Sequence, residues 1–168
     1  VFPSGDGVQM EDLIGADDRL YFVGVDSDHG PELWVADESE IGAHIVKELT
    51  RGSQEAYLFK FSAAGSELYF NQFTTDSWTQ FWHTDGTSEG TQMIIQAKAE
   101  SLTELNCALF FVARNQLWQT DGTAAETIAV SSLGTPVFGP HIAKFGGSLF
   151  LSNFNIIDSG GIWSFDGT

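Results

Sequence analysis

The sequence predicts an all-β fold assembled from four repeats, and two observations carry that prediction. One short segment recurs along the chain. It stands most complete as Phe81-Trp82-His83-Thr84-Asp85-Gly86-Thr87-Ser88-Glu89-Gly90-Thr91. It returns as Leu117-Trp118-Gln119-Thr120-Asp121-Gly122-Thr123 and as Ile162-Trp163-Ser164-Phe165-Asp166-Gly167-Thr168, with a worn copy at Leu33-Trp34-Val35-Ala36-Asp37-Glu38-Ser39. The second observation is the pattern between copies: short apolar runs bounded by Gly, Asp, Asn and Ser read as strands, and no 3.6-residue apolar period persists long enough for a helix.

Each repeat resolves into four expected strands, here a to d. Strand a is a weak apolar stretch, Leu13-Ile14, Phe59-Lys60-Phe61, Leu102 with Leu105, or Ile142 with Phe145. Strand b is aromatic: Leu20-Tyr21-Phe22, Leu68-Tyr69-Phe70, Leu109-Phe110-Phe111 and Leu149-Phe150-Leu151. Strand c carries the Trp. Strand d is an aliphatic, mostly β-branched run, Ile45-Val46, Ile94-Ile95 or Ile128-Ala129-Val130, with no copy after the last Trp. The Asp-Gly pairs after strand c favour tight turns, because Asp caps its own turn and Gly accepts positive φ.

The Trp-to-Trp spacings are 48, 36 and 45 residues, near the period of propeller blades. The expected architecture is therefore a four-bladed β-propeller forming a single domain over 1–168, with repeats at about 11–50, 57–97, 100–132 and 140–168. Residues 1–10, through Val1-Phe2 or Val8-Gln9-Met10, are a candidate strand to close the last blade; otherwise that blade takes a strand from another chain. In repeat three the b-strand Leu lies 9 residues before the Trp, against 14 in the others. Arg114-Asn115 there makes a two-residue link, while the other repeats enlarge this b–c loop. Insertions on one side of a repeat commonly mark a binding surface.

Composition narrows the function classes. With 23 acidic and 7 basic residues the net charge is −16, which repels phosphate backbones and argues against nucleic-acid binding. No apolar run approaches the roughly 20 residues that span a bilayer, so no membrane insertion is expected. Cys107 is the only cysteine, which excludes an intrachain disulfide and a Cys-based metal site. The chain begins at Val1, which fits a processed secreted protein or a fragment of something longer.

The Trp-x-x-Asp-Gly-Thr-x-x-Gly-Thr pattern resembles the ELWxxDGT repeat family of bacterial surface and secreted proteins, over essentially the whole chain. Repeat two matches at Trp82, Asp85, Gly86, Thr87, Gly90 and Thr91; repeat three keeps Trp118, Asp121, Gly122, Thr123 and Thr127 but has Glu126 in place of Gly. Repeat one keeps Trp34, Asp37 and Gly42, and repeat four Trp163, Asp166, Gly167 and Thr168. The resemblance implies a propeller-like fold and an extracellular or cell-surface location. It brings no catalytic residue.

Because the motif repeats, its Trp, Asp and Gly residues read as structure, and no catalytic residue is assigned. Asp26-x-Asp28-x-Gly30 is faintly like a Ca²⁺ loop, with Asp26 and Asp28 as candidate ligands, but it lacks the third ligand and a twelfth-position glutamate. No cofactor is otherwise expected. His29, His44, His83 and His141 show no ligand spacing. Binding candidates lie in the b–c loops: Asp76 and Trp78 in the second, Asn155 and Ile156 in the fourth. The expected function is an extracellular structural or binding module that self-assembles through strand complementation of the fourth blade. The partners are then itself, forming oligomers or fibres, or another protein or a glycan. The competing readings are lectin-like glycan binding through the b–c loops and, behind it, a carboxylate-based hydrolase.

Overall fold

A computed structural model describes residues 9–26, 28–37, 42–49, 57–74, 78–106, 108–133, 138–154 and 161–166. Among them there are fifteen strands and no helix. Four antiparallel sheets follow the chain, each joining strands that are neighbours in sequence. Sheet one holds β1 (Gln9–Ala16), β2 (Arg19–Val25), β3 (Glu32–Asp37) and β4 (Ala43–Lys47). Sheet two holds β5 (Tyr57–Ala64), β6 (Glu67–Phe73), β7 (Thr79–Thr84) and β8 (Gln92–Ile95). Sheet three holds β9 (Glu100–Leu105), β10 (Ala108–Ala113), β11 (Gln116–Thr120) and β12 (Ile128–Ser132). Sheet four has three strands, β13 (Phe138–Phe145), β14 (Ser148–Phe154) and β15 (Gly161–Phe165).

Turn chemistry explains the hairpins. The first residue of each β-turn between strands a and b has positive φ: Asp17 (52°), Gly65 (61°), Asn106 (52°) and Gly146 (58°). Asp, Asn and Gly tolerate that conformation best. Arg114 and Asn115 link β10 to β11 with φ of 50° and 59°, the double positive pair of a type I′ hairpin.

The first strand of each sheet also carries a β-bulge that the sequence pattern does not reveal. Asp12, Lys60 and Ser101 stand at the same place in β1, β5 and β9 with φ of 51°, 54° and 53°, where the register slips. In β13 the positive φ falls two residues further out, on Gly139 (57°). Beyond its bulge, β1 continues back to Gln9 and Met10, which pair with Val25 and Gly24. This corrects part of the closing-strand expectation: these two residues extend the first sheet, because pairing within a local hairpin closes the shortest loop. Residues 1–8 and 167–168, hence Gly167, together with Asp76, Cys107, Asn155 and Ile156, lie outside the described residues.

The chain divides into two compact units, Val1–Gln96 and Ala97–Thr168. The first unit has its core between sheets one and two, where Tyr21, Val23, Leu33 and Val35 pack with Leu58, Leu68 and Phe70. The second has its core between sheets three and four, where Phe110, Val112 and Leu117 pack with Leu149 and Leu151. Burial of such apolar side chains, at roughly 25 cal/mol per Å², is the main stabilising contribution in each.

Candidate functional site

The recurring Asp-Gly-Thr segment folds into a turn that consumes its own polar groups. In sheet two the Thr87 amide and hydroxyl both donate to Asp85 Oδ1 at 2.8 Å. The Gly90 amide donates to Thr87 Oγ1 (2.9 Å), and the Thr91 hydroxyl to the Thr87 carbonyl (2.6 Å). Thr84 Oγ1 lies 2.7 Å from Thr91 Oγ1 and accepts from the Gly86 amide. Sheet three repeats this with Asp121, Gly122, Thr123 and Thr127: Thr123 donates twice to Asp121 Oδ1, at 2.9 and 2.8 Å. Gly86 and Gly122 take φ of 89° and 100°, a region that only glycine enters without strain. Glu126 replaces Gly90 in the second copy, and the amide bond to the Thr hydroxyl lengthens from 2.9 to 3.3 Å. A Cβ at Gly90 would run into the Asp85 carboxylate, so a glycine permits the tighter turn.

Asp85 reports the electrostatics of this turn. Burial alone would raise its carboxyl, but the Thr87 amide and hydroxyl bind the charged form and hold the group below its ordinary value. Two cations of sheet one reach the backbone of the same turn. Arg19 Nη1 donates to the Asp85 carbonyl, and Lys47 Nζ to the carbonyls of Ser88 (3.0 Å) and Thr91 (2.7 Å). Glu32 and Gln72, both buried, hold the linker after β4: Glu32 Oε2 accepts from the Leu49 amide (2.8 Å), and Gln72 Nε2 donates to the Leu49 carbonyl (3.1 Å). These groups are occupied with joining sheet one to sheet two.

Three of the four repeat Trp residues lie on an aromatic ring of their own sheet. Trp34 stacks on Phe22, Trp82 on Phe70 and Trp118 on Phe111, with centroids 6.1, 6.4 and 6.2 Å apart. These are directly paired cross-strand neighbours, the geometry in which aromatic pairs contribute. Trp163 is paired with Leu151 instead and is 42% exposed. Asp37 ends β3, and Asp166 follows β15.

The acidic loop Asp26–Gly30 also closes on itself. Asp26 Oδ1 accepts from the Asp28 and His29 amides at 2.9 and 2.7 Å, and the carboxylate lies 2.9 Å from His29 Nδ1. The His29 hydrogen bond holds the Asp26 carboxyl down, and the same bond raises the imidazole. Asp28 is exposed. Among the described residues no group of three or more His, Cys, Asp and Glu gathers as metal ligands. His83 Nε2 bonds instead to Glu67, with its ring on Tyr69.

Trp78 is 59% exposed, and two further exposed aromatics stand at the same end of sheet two. Tyr57 (61% exposed) is paired with Phe73 (39%), and Phe73 with Thr79, the residue after Trp78. The strand register thus gathers three exposed aromatics at the b–c end of sheet two. Among the described residues β15 is an edge strand, paired on one side with β14. Its counterparts β3, β7 and β11 are inner strands, each flanked on both sides.

No family model and no curated protein matches the chain. Among solved structures it is similar to oligopeptidase B from Leishmania major, with 9% identity and a TM-score of 0.49 over 88% of this chain and 24% of that one. It is also similar to the computationally designed Ika8 protein, with 13% identity and a TM-score of 0.47 over 95% of this chain and 50% of that one. The chain spans about a quarter and half of their lengths, and likenesses this loose bear on no function.

Proposed function

We propose that the chain is a segment of a β-propeller of ELWxxDGT-type repeats, and that it acts as an extracellular structural or binding module that assembles by strand addition at β15. One observation carries this reading. Among the described residues the Trp strand is an inner strand in three sheets and an edge strand in the fourth. An edge strand offers a row of unpaired backbone groups to an incoming strand. A strand added there would follow a defined pattern. At each Trp the fourth strand slips register, so that Trp34, Trp82 and Trp118 face Ile45, Met93 and Ala129. The residue skipped at each slip is Val46, Ile94 or Val130, all apolar.

The test is a fluorescent peptide copying residues 90–97, which contain β8. Its anisotropy rises on titration with the full chain, and a scrambled peptide stays at baseline. Equal behaviour of the two peptides contradicts strand addition.

A second reading has its own observation, the exposed trio Tyr57, Phe73 and Trp78. Such rings stack on sugar faces, so a glycan is the ligand they would take. Glycan-array binding that survives Trp78→Ala counts against this reading, as does an array with no signal.

A further inference from the structure

Exposed aromatic rings gather at one place in sheet two, at the end where β6 turns into β7. Tyr57, Phe73 and Thr79 are paired directly across β5, β6 and β7, so they form one row running across the strands. Tyr57 and Phe73 stand in solvent, whereas one row inward on the same strands Asn71 and Phe81 are fully buried. Trp78, also exposed, precedes Thr79, and its carbonyl accepts from the Thr74 amide at 3.2 Å and from the Thr74 hydroxyl at 3.4 Å. That closure fixes the Trp78 backbone beside the row. The repeat does not dictate these rings, since sheet one has Gln9 and Val25 at the positions of Tyr57 and Phe73, and sheet four has Phe138 and Phe154.

The chemistry of the patch narrows what it can bind. Clustered exposed rings mark a contact surface, whereas rings scattered singly do not. The negative face of an aromatic ring attracts the C–H bonds that line the flat side of a hexose, and the row carries hydroxyls at both ends, on Tyr57 and Thr79, for the sugar's own hydroxyls. Adjacent strands stand about 4.8 Å apart, close to the length of one sugar in an extended chain, so the row from β5 to β7 matches about two sugars laid across the strands. The described residues of the patch, Tyr57, Phe73, Thr74, Trp78, Thr79 and Gln80, carry no charge. A basic peptide would need carboxylates there. The net charge of the chain is −16, a field that repels uronic acids and sulfated sugars.

We propose that the row of Tyr57, Phe73 and Thr79, with Trp78 beside it, binds an uncharged glycan chain laid across the strands and rejects anionic glycans. The proposal rests on the glycan reading and deepens it by fixing the ligand's charge, its minimum length and its direction on the sheet. It does not involve strand addition at β15. A monosaccharide covers one ring of the row, and a longer chain covers both Tyr57 and Phe73. Affinity therefore climbs from one sugar to about three and then levels off. Rejection of anionic chains arises from the charge of the whole protein, so it weakens as salt screens that field.

An oligosaccharide array probed with the full chain, in low and high salt, tests this. It carries neutral gluco-, manno-, xylo- and galacto-oligosaccharides beside uronic acid and sulfated chains of matched lengths. The neutral chains give a signal that rises from monosaccharide to trisaccharide, and in low salt the anionic chains bind about tenfold more weakly. Tyr57→Ala and Phe73→Ala, each checked for retained β-structure by circular dichroism, each lower the neutral signal about tenfold. Ile128→Ala, at an exposed apolar site of sheet three, leaves it unchanged. Anionic chains bound as well as neutral ones overturn the proposal and leave the glycan reading standing. Neutral binding that survives both Tyr57→Ala and Phe73→Ala overturns it too. An array silent for every sugar overturns the proposal and the glycan reading together.

Discussion

Sheet two and sheet four are made from the same recurring strands, and they differ in how completely those strands are covered. In sheet two the b strand is buried on both faces, with Leu68 and Phe70 on one side and Tyr69, stacked on Phe81, on the other. In sheet four Leu149 and Leu151 are buried on one face, while Ile162 and Phe145 stand in solvent on the other. The same strand pattern thus supports one sheet buried on both faces and another buried on one.

The largest expected effect separates these two sheets directly. Phe81→Ala removes a fully buried ring and is expected to destabilise by about 3–5 kcal/mol. Ile162→Ala, at the equivalent position of sheet four, is expected to stay within about 0.5 kcal/mol. Urea unfolding of the two variants measures the contrast, and equal losses would break it.

The next effect concerns the turn of sheet two. Gly86 has φ of 89°, and a Cβ there would lie 2.8 Å from the Tyr21 hydroxyl and 3.1 Å from Arg19. Gly86→Ala is therefore expected to cost about 1–3 kcal/mol in the same unfolding assay. Asp85→Ala removes the acceptor of both Thr87 donors, an expected loss of about 1–2 kcal/mol. Its pH dependence has a definite sign. Because the folded carboxyl lies below its ordinary value, the stabilisation is present above the unfolded value and disappears as pH falls through the folded one. The wild-type and Asp85→Ala stabilities are expected to converge in acid.

The smallest effect is local to the loop between β2 and β3. Asp26 raises the His29 imidazole, so the interaction is full below the unfolded imidazole value and is lost as pH rises through the folded one. On the acid side it is lost as pH falls through the depressed Asp26 value. Proton NMR titration is expected to show the His29 midpoint falling in Asp26→Asn, with global stability changed little because the pair is only half-buried and local to one loop.

The strands and hairpins were legible in the sequence because their signals are local. Asp-Gly pairs fix turns by backbone preference, the Arg114-Asn115 link is marked by its two-residue length, and the aromatic b strands alternate with polar links. The bulges at Asp12, Lys60 and Ser101 were not legible, since register slips answer to packing across strands and these residues carry no turn signature. Arg19 and Lys47 were equally hidden, as they grip backbone 66 and 41 to 44 residues away. Of the candidate site, exposed Trp78 was readable as a residue outside the repeat. Its companions Tyr57 and Phe73 emerge only once the register places them at one end of sheet two.

The most direct test of the central claim is amide hydrogen exchange of β15 against β7, followed from dilute to concentrated protein. Slow exchange is expected in β7 throughout, with fast exchange in the dilute protein at the outer-edge amides of β15 that slows as copies associate. Protection of β15 equal to that of β7 at high dilution would contradict it.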